Sequence, residues 1–138
     1  MVCNAPTYYE LPAILVFKTP SAASEVIREI LLGIEKEGIT AEVREQPSGP
    51  LLDLAKAAAD GSSLNVGIAA SSTEVILHHR DLPLNSPLFL LGTGKLTQVN
   101  LRCLGMNAAR LVKGNPLALN DDLIGPETRD LPRFSKNA

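Results

Sequence analysis

Few side chains in this 138-residue sequence could do chemistry by type and spacing. Gly92-Thr93-Gly94-Lys95 suggests a phosphate-binding turn. A P-loop, however, needs a glycine five residues before its Gly-Lys pair and a Ser or Thr after the lysine, whose hydroxyl holds magnesium. Phe89 and Leu96 stand at those positions, so the stretch reads as a solvent loop. His78 and His79 are the only histidines. Neighbours on a strand point to opposite faces and cannot chelate one metal together, so one reads as a surface residue and the other as lying near a strand end. Ser62-Ser63 and Ser71-Ser72-Thr73 lack the Gly-x-Ser-x-Gly surroundings of a nucleophile elbow and read as turns. Cys3 and Cys103 lie far apart in the chain and outside any CxxC or Cys/His cluster, which leaves structural zinc, thioredoxin-like chemistry and a disulfide framework without support.

The carboxylates Glu35 and Glu37 are two apart on an expected helix, so they diverge by ~200° and cannot share an ion alone. Either could complete a metal site supplied by another chain. The alternative is a pair of surface residues at a helix end, where the negative dipole makes them unfavourable. In Asn107-Ala108-Ala109-Arg110-Leu111-Val112-Lys113, the cations Arg110 and Lys113 suit the C-terminal dipole, and the alanines permit close packing.

These residues need elements to position them. Ala13 to Phe17 is a continuous apolar run, as in a strand buried on both faces. Ser21 is a plausible N-cap for a helix reaching Glu37, with Val26, Ile27, Ile30, Leu31 and Ile34 on one stripe and Gly38 as its left-handed stop. Ile39, Ala41 and Val43 alternate with polar residues, as in a strand covered on one face. Pro50 opens a second helix whose stripe is Leu51, Leu54, Ala55 and Ala58, and which stops at Gly61. Val66 to Ala69 is a tight strand whose Gly67 can admit a neighbouring backbone. Val75 to Leu77 follows too soon for a crossover and must run antiparallel to it. Leu88 to Leu91 is the last strand, and a final helix runs from Leu96 to Lys113. The order β-α-β-α-β-β-β-α implies an α/β fold with a mixed, mostly parallel sheet of about five strands. The expected division is an N-terminal arm over 1–12, the α/β domain over 13–116 and an irregular, mobile-looking tail over 117–138.

With 45% hydrophobic and 20% charged residues, the chain can bury one core. A formal net charge of −2, 4% aromatics and no Trp argue against a nucleic-acid binder carried by bulk charge or base stacking. The apolar run Leu11–Phe17 contains Pro12 and is far shorter than the ~20 residues of a membrane span. No basic segment precedes it, so a cytoplasmic location is expected.

Three stretches resemble one family, in the right order. They are Glu29-Ile30-Leu31-Leu32-Gly33-Ile34-Glu35-Lys36-Glu37-Gly38-Ile39, Leu64-Asn65-Val66-Gly67-Ile68-Ala69, and Gly105-Met106-Asn107-Ala108-Ala109-Arg110-Leu111-Val112-Lys113-Gly114. His78 to Leu91 also looks like the family's strand-loop-strand with its Leu-Pro and Pro-Leu steps. The sequence is similar to the small subunits of diol and glycerol dehydratase reactivases and, equally, to the medium subunit of the adenosylcobalamin-dependent dehydratases. The resemblance spans residues 13 to about 120. Dehydratase medium subunits carry a substantial extra N-terminal portion, and only about a dozen residues precede the first strand here, which favours the reactivase small subunit.

The resemblance implies a three-layer α/β/α fold like that of anticodon-binding domains, and a binding role without catalysis. The partner would be a large, actin-like ATPase subunit in a heterotetramer that binds ATP. During exchange, this chain would take the medium subunit's place on the large subunit of a diol or glycerol dehydratase, so that damaged cobalamin leaves and intact adenosylcobalamin can enter. Location in the cytoplasm, in association with a bacterial microcompartment, goes with that role. The family's first helix commonly ends Gly-x-Glu-Glu-x-Gly, with a carboxylate linked to a magnesium or calcium ion held mainly by the large subunit. Glu35 matches the first Glu, Lys36 replaces the second, and Glu37 is a nearby alternative. Lysine has no acceptor and cannot ligate such an ion. Glu35, Lys36, Glu37 and Arg110 are therefore the expected partner interface, with Glu35 or Glu37 as the metal ligand. Two alternatives are a shortened dehydratase medium subunit and, by analogy of fold alone, an RNA-binding module.

Overall fold

A computed structural model describes residues 12–46, 49–118 and 122–123. The expected arm therefore lies outside the described residues except for Pro12, as do Cys3 and most of the expected tail. The elements are β1 (Ala13–Lys18), α1 (Ser24–Lys36), β2 (Thr40–Glu45), α2 (Leu51–Gly61), β3 (Val66–Ala70), β4 (Val75–His79), β5 (Phe89–Leu91) and α3 (Gln98–Lys113). Among them no helix is long and apolar enough to cross a membrane.

The sheet order is β2-β1-β3-β4-β5. β1 pairs in parallel with β2 and β3, while β4 is antiparallel to β3 and β5. The period of two along β1 builds the layers. Ile14 and Val16 point into a cluster with Ile27, Ile30 and Ile34 of α1 and Leu101, Leu104 and Ala108 of α3. Leu15 and Phe17 face the other way, against Ala58 of α2. One helical layer is thus α1 with α3 and the other is α2 alone, an α/β/α sandwich around the five-stranded sheet. Gly67 fulfils its expected role, since a Cβ there would lie 2.1 Å from the Ala59 nitrogen.

Some boundaries differ from the sequence reading. The N-cap of α1 is Ala23, because Ser21 is engaged in the preceding turn, its hydroxyl 2.9 Å from that of Thr19. α3 starts at Gln98, where the Thr97 side chain accepts from the Asn100 N–H at 3.2 Å. β2 is an edge strand, and the helical layer reaches Ile39 and Ala41 but leaves Val43 36% exposed. The packed structure also continues past Pro116. The fully buried Asn107 amide donates to the Ala118 carbonyl at 2.8 Å and accepts from the Ala118 N–H at 2.7 Å, and Leu123 is buried.

Candidate functional site

The four interface candidates lie at one end of the α1–α3 layer. Glu29 pairs with Arg102 and Glu37 with Arg110, both at a separation of 73 residues, so the two helices run parallel and finish together. Their crossing is backbone against backbone. A Cβ on Gly33 would sit 2.3 Å from the Arg102 carbonyl oxygen, and one on Gly105 would sit 2.2 Å from that of Ile30.

Both helices end in the same way. Gly38 (φ 81°) donates to the Glu35 carbonyl and Ile39 to that of Ile34, while Gly114 (φ 75°) and Asn115 donate to Leu111 and Arg110. These are Schellman closures, each relying on a glycine for the left-handed residue. The first brings Glu37 sideways onto α3. Its carboxylate accepts from Arg110 Nε at 3.1 Å and Lys113 Nζ at 2.9 Å, and Lys113 also donates to the Glu37 carbonyl at 2.8 Å. The Lys113 hydrogen bond holds the Glu37 carboxyl below its ordinary value, partial desolvation pulls the other way, and Arg110 adds to the lowering. Arg110 and Lys113 thus do more than complement a dipole, because they staple the end of α1 to the end of α3.

Glu35 and Lys36 point outward, exposed, and neither side chain has an ion-pair partner among the described residues. The structure therefore divides the four expected residues into an inward pair, Glu37 and Arg110, and an outward pair, Glu35 and Lys36. Among the described residues no group of three or more His, Cys, Asp or Glu could hold a metal ion. The outward pair borders a shallow groove of about 450 Å³ that is also lined by Leu32, Gly33, Arg102 and Met106. Sequence reasoning passed over those four residues. The available signal was a glycine inside each of two helical patterns, which marks a close approach.

Two other expectations can be placed. Gly92 to Lys95 is a turn closed by the Lys95 N–H on the Gly92 carbonyl, with Lys95 Nζ 3.3 Å from Asp122. His78 and His79 close β4, and while His79 is partly exposed, His78 is fully buried. The His79 N–H donates to its Nδ1 at 3.0 Å, so Nε2 carries the proton and donates to the Leu84 carbonyl at 3.0 Å. It pins the loop before β5 to β4, a structural use of both ring nitrogens.

The profile of the family described as dehydratase medium subunit matches residues 11–118. The chain is 43% identical over 105 residues to the propanediol dehydratase-reactivating factor small subunit of Citrobacter freundii, covering 76% of this chain and 89% of that one. It is 44% identical over 101 residues to the diol dehydratase-reactivating factor small subunit of Klebsiella michiganensis, covering 72% and 80%. Among solved structures, it is similar to a chain of a diol dehydratase-reactivating factor complexed with ADP and Mg2+. That match has a TM-score of 0.74 at 39% identity, over 80% of this chain and all of that one. A glycerol dehydratase reactivase chain matches with a TM-score of 0.71 at 33% identity, over 79% and 98%. With the sandwich and the matched span in agreement, the chain belongs to the dehydratase medium subunit family and, within it, to the dehydratase-reactivating factor small subunits.

Proposed function

We propose that this chain is the non-catalytic half of a two-part reactivating machine for an adenosylcobalamin-dependent diol or glycerol dehydratase. The carrying observation is the match to reactivating-factor small subunits over 80% or more of their length, at more than 40% identity. In this reading a large subunit binds and hydrolyses ATP, and this chain contributes a surface. That surface competes with the dehydratase's own medium subunit, which has the same fold, for one place on the dehydratase. Two similar surfaces competing for one site shift the equilibrium only by their difference in affinity, which nucleotide on the large subunit would bias. Loosened in this way, the dehydratase releases damaged cobalamin. The cytoplasm, at a bacterial microcompartment, is the setting this role calls for.

The end of α1 is the part of the surface proposed to meet the large subunit. A divalent cation shared with that subunit, magnesium or calcium, would take its small-subunit ligand from Glu35. That carboxylate is exposed and without an ion-pair partner among the described residues, whereas Glu37 is already neutralised by Arg110 and Lys113. Among the described residues no group of three or more His, Cys, Asp or Glu gathers there, so in this reading the other ligands would come from the partner.

The test is co-expression with the reactivase-type ATPase and the dehydratase subunits of the same source, followed by native mass spectrometry. Co-elution with the ATPase, and transfer onto the dehydratase when nucleotide is added, is expected. Stable recovery inside the dehydratase without the ATPase would overturn the reading in favour of an enzyme subunit. Glu35→Lys is expected to weaken association with the large subunit in calorimetry, and unchanged affinity would remove Glu35 from the interface.

A further inference from the structure

The groove between α1 and α3 has a construction that identifies what fits it. Gly33 and Gly105 let the two backbones touch, and Gly33 is one of the residues that line the groove beside that crossing. Leu32, 41% exposed, and Met106, half-buried, supply apolar walls. Lys36, Arg102 and Glu35 form the charged rim.

Arg102 is half-committed. Its Nε donates to Glu29 at 2.5 Å, and Glu29 is buried and also 3.6 Å from Arg28. The two Nη groups of Arg102 have no partner among the described residues, and the side chain is 46% exposed. A guanidinium spending one edge on an internal carboxylate offers its other edge as a fixed fork, the geometry that recognises a second carboxylate. Lys36, also unpaired among the described residues, stands on the same rim. Leu32 stays 41% exposed on the groove's edge.

We propose that this groove receives an apolar side chain of the large subunit flanked by an acidic residue, the apolar group seating between Leu32 and Met106 and the carboxylate on the open edge of Arg102 beside Lys36. This rests on the reading above that a large subunit is the partner, and adds which part of this chain it grips and with what chemistry. A small apolar pocket rimmed by charge is where one interface residue carries much of the binding.

The test measures affinity of the full chain for the purified ATPase subunit by calorimetry at two salt concentrations. Lys36→Gln and Leu32→Ser remove exposed groups with no ion-pair or hydrogen-bond partner among the described residues, so each should keep the melting temperature within a few degrees of the parent. Each should nevertheless weaken binding about tenfold, and Lys36→Gln should also flatten the salt dependence. Arg102→Lys keeps a cation for Glu29 but loses the fork, and should weaken binding several-fold. Asp53→Lys, on the opposite helical layer, should change nothing. Full affinity in both Leu32→Ser and Lys36→Gln overturns the groove while leaving the partner reading intact. Failure of the unaltered chain to bind the ATPase overturns both. Self-association of the unaltered chain that Leu32→Ser abolishes would assign the groove to a second copy and refute the acidic-partner proposal.

Discussion

Replacing Gly105 by alanine separates the energetics of the helix crossing from helix propensity. On propensity alone the change should stabilise α3 by about 1 kcal/mol, since glycine inside a helix is unfavourable by that amount. The crossing opposes this. The new Cβ would lie 2.2 Å from the Ile30 oxygen, 3.1 Å from its carbonyl carbon and 3.2 Å from the Ile34 nitrogen, all main-chain atoms that no rotamer change can move. To reach an ordinary contact the helices must part by about 1 Å, and overpacking of this kind costs ~1–3 kcal/mol. Parting them also stretches the Glu29–Arg102 pair, leaving a buried carboxylate less well matched. The net expectation is a loss of about 0–2 kcal/mol, pushed toward its upper end by the stretched ion pair, or up to roughly 8 °C in melting temperature for a domain of this size. Thermal melts read by circular dichroism measure it. Gly92→Ala, where nothing lies within 4 Å of the new Cβ, should stay within about 0.5 kcal/mol of the parent. Gly33→Ala should resemble Gly105→Ala, and the double variant should cost less than the two together, because one retreat relieves both clashes. An alanine at Gly105 that melts above the parent temperature would refute the backbone contact.

Glu37→Gln should lower stability near neutral pH and lose that effect in acid. A carboxyl held below its ordinary value of 4.5 contributes stability that is present above that value and fades as pH falls through the lower, folded one. Urea titrations from about pH 7 to pH 3 would show the parent and variant converging, and a gap that persists in acid would exclude the ion pairs as its cause. Asn107→Ala should cost about 2 kcal/mol by leaving both main-chain groups of Ala118 without their buried partner. It should also speed the reaction of Cys103 with a thiol reagent, since burial pushes that thiol up and Ala118 lies against it, and an unchanged rate would show that the segment had not lifted. His78→Leu should cost ~1–3 kcal/mol in urea unfolding and raise amide exchange in the loop around Leu84, whose carbonyl loses its donor. A neutral effect would mean that water replaces the ring.

The layers were legible in the sequence because they follow from periodicity. The continuous apolar run of Ala13–Phe17, the stripe of Val26 to Ile34 and the glycine stops are local signals, and a connection too short for a crossover fixed the antiparallel step from β3 to β4. Sequence position within the sheet was not legible. Nothing local marks β2 as an edge strand, and its alternating pattern survives there even though Val43 has little to cover it. The burial of His78 was not legible for a related reason: its two partners are a neighbouring N–H and a carbonyl on a loop, and hydrogen bonds to main chain leave no trace in residue type. Glu37 was recognised but its use was not, because the staple to Arg110 and Lys113 spans 73 and 76 residues and exists only once α1 and α3 lie parallel.

The end of α1 shows how a few consecutive residues acquire different tasks from one closure. Ile34 faces the core, and the Ile39 N–H folds back onto its carbonyl, so the chain reverses within five residues. That reversal swings Glu37 off the helical stripe and onto the two cations of α3, while Glu35 and Lys36, still on the helix, stay in solvent. Two carboxylates only two positions apart therefore cannot substitute for one another. The inward one ties the end of α1 to the end of α3. The outward one is left for whatever binds there. Lys36 sharpens the difference, because its cation beside Glu35 removes the second acceptor that a glutamate would have provided. Under the proposed partner role, losing the Glu37 staple should disturb partner binding through geometry, and losing Glu35 through the loss of its carboxylate as a charge and a metal ligand.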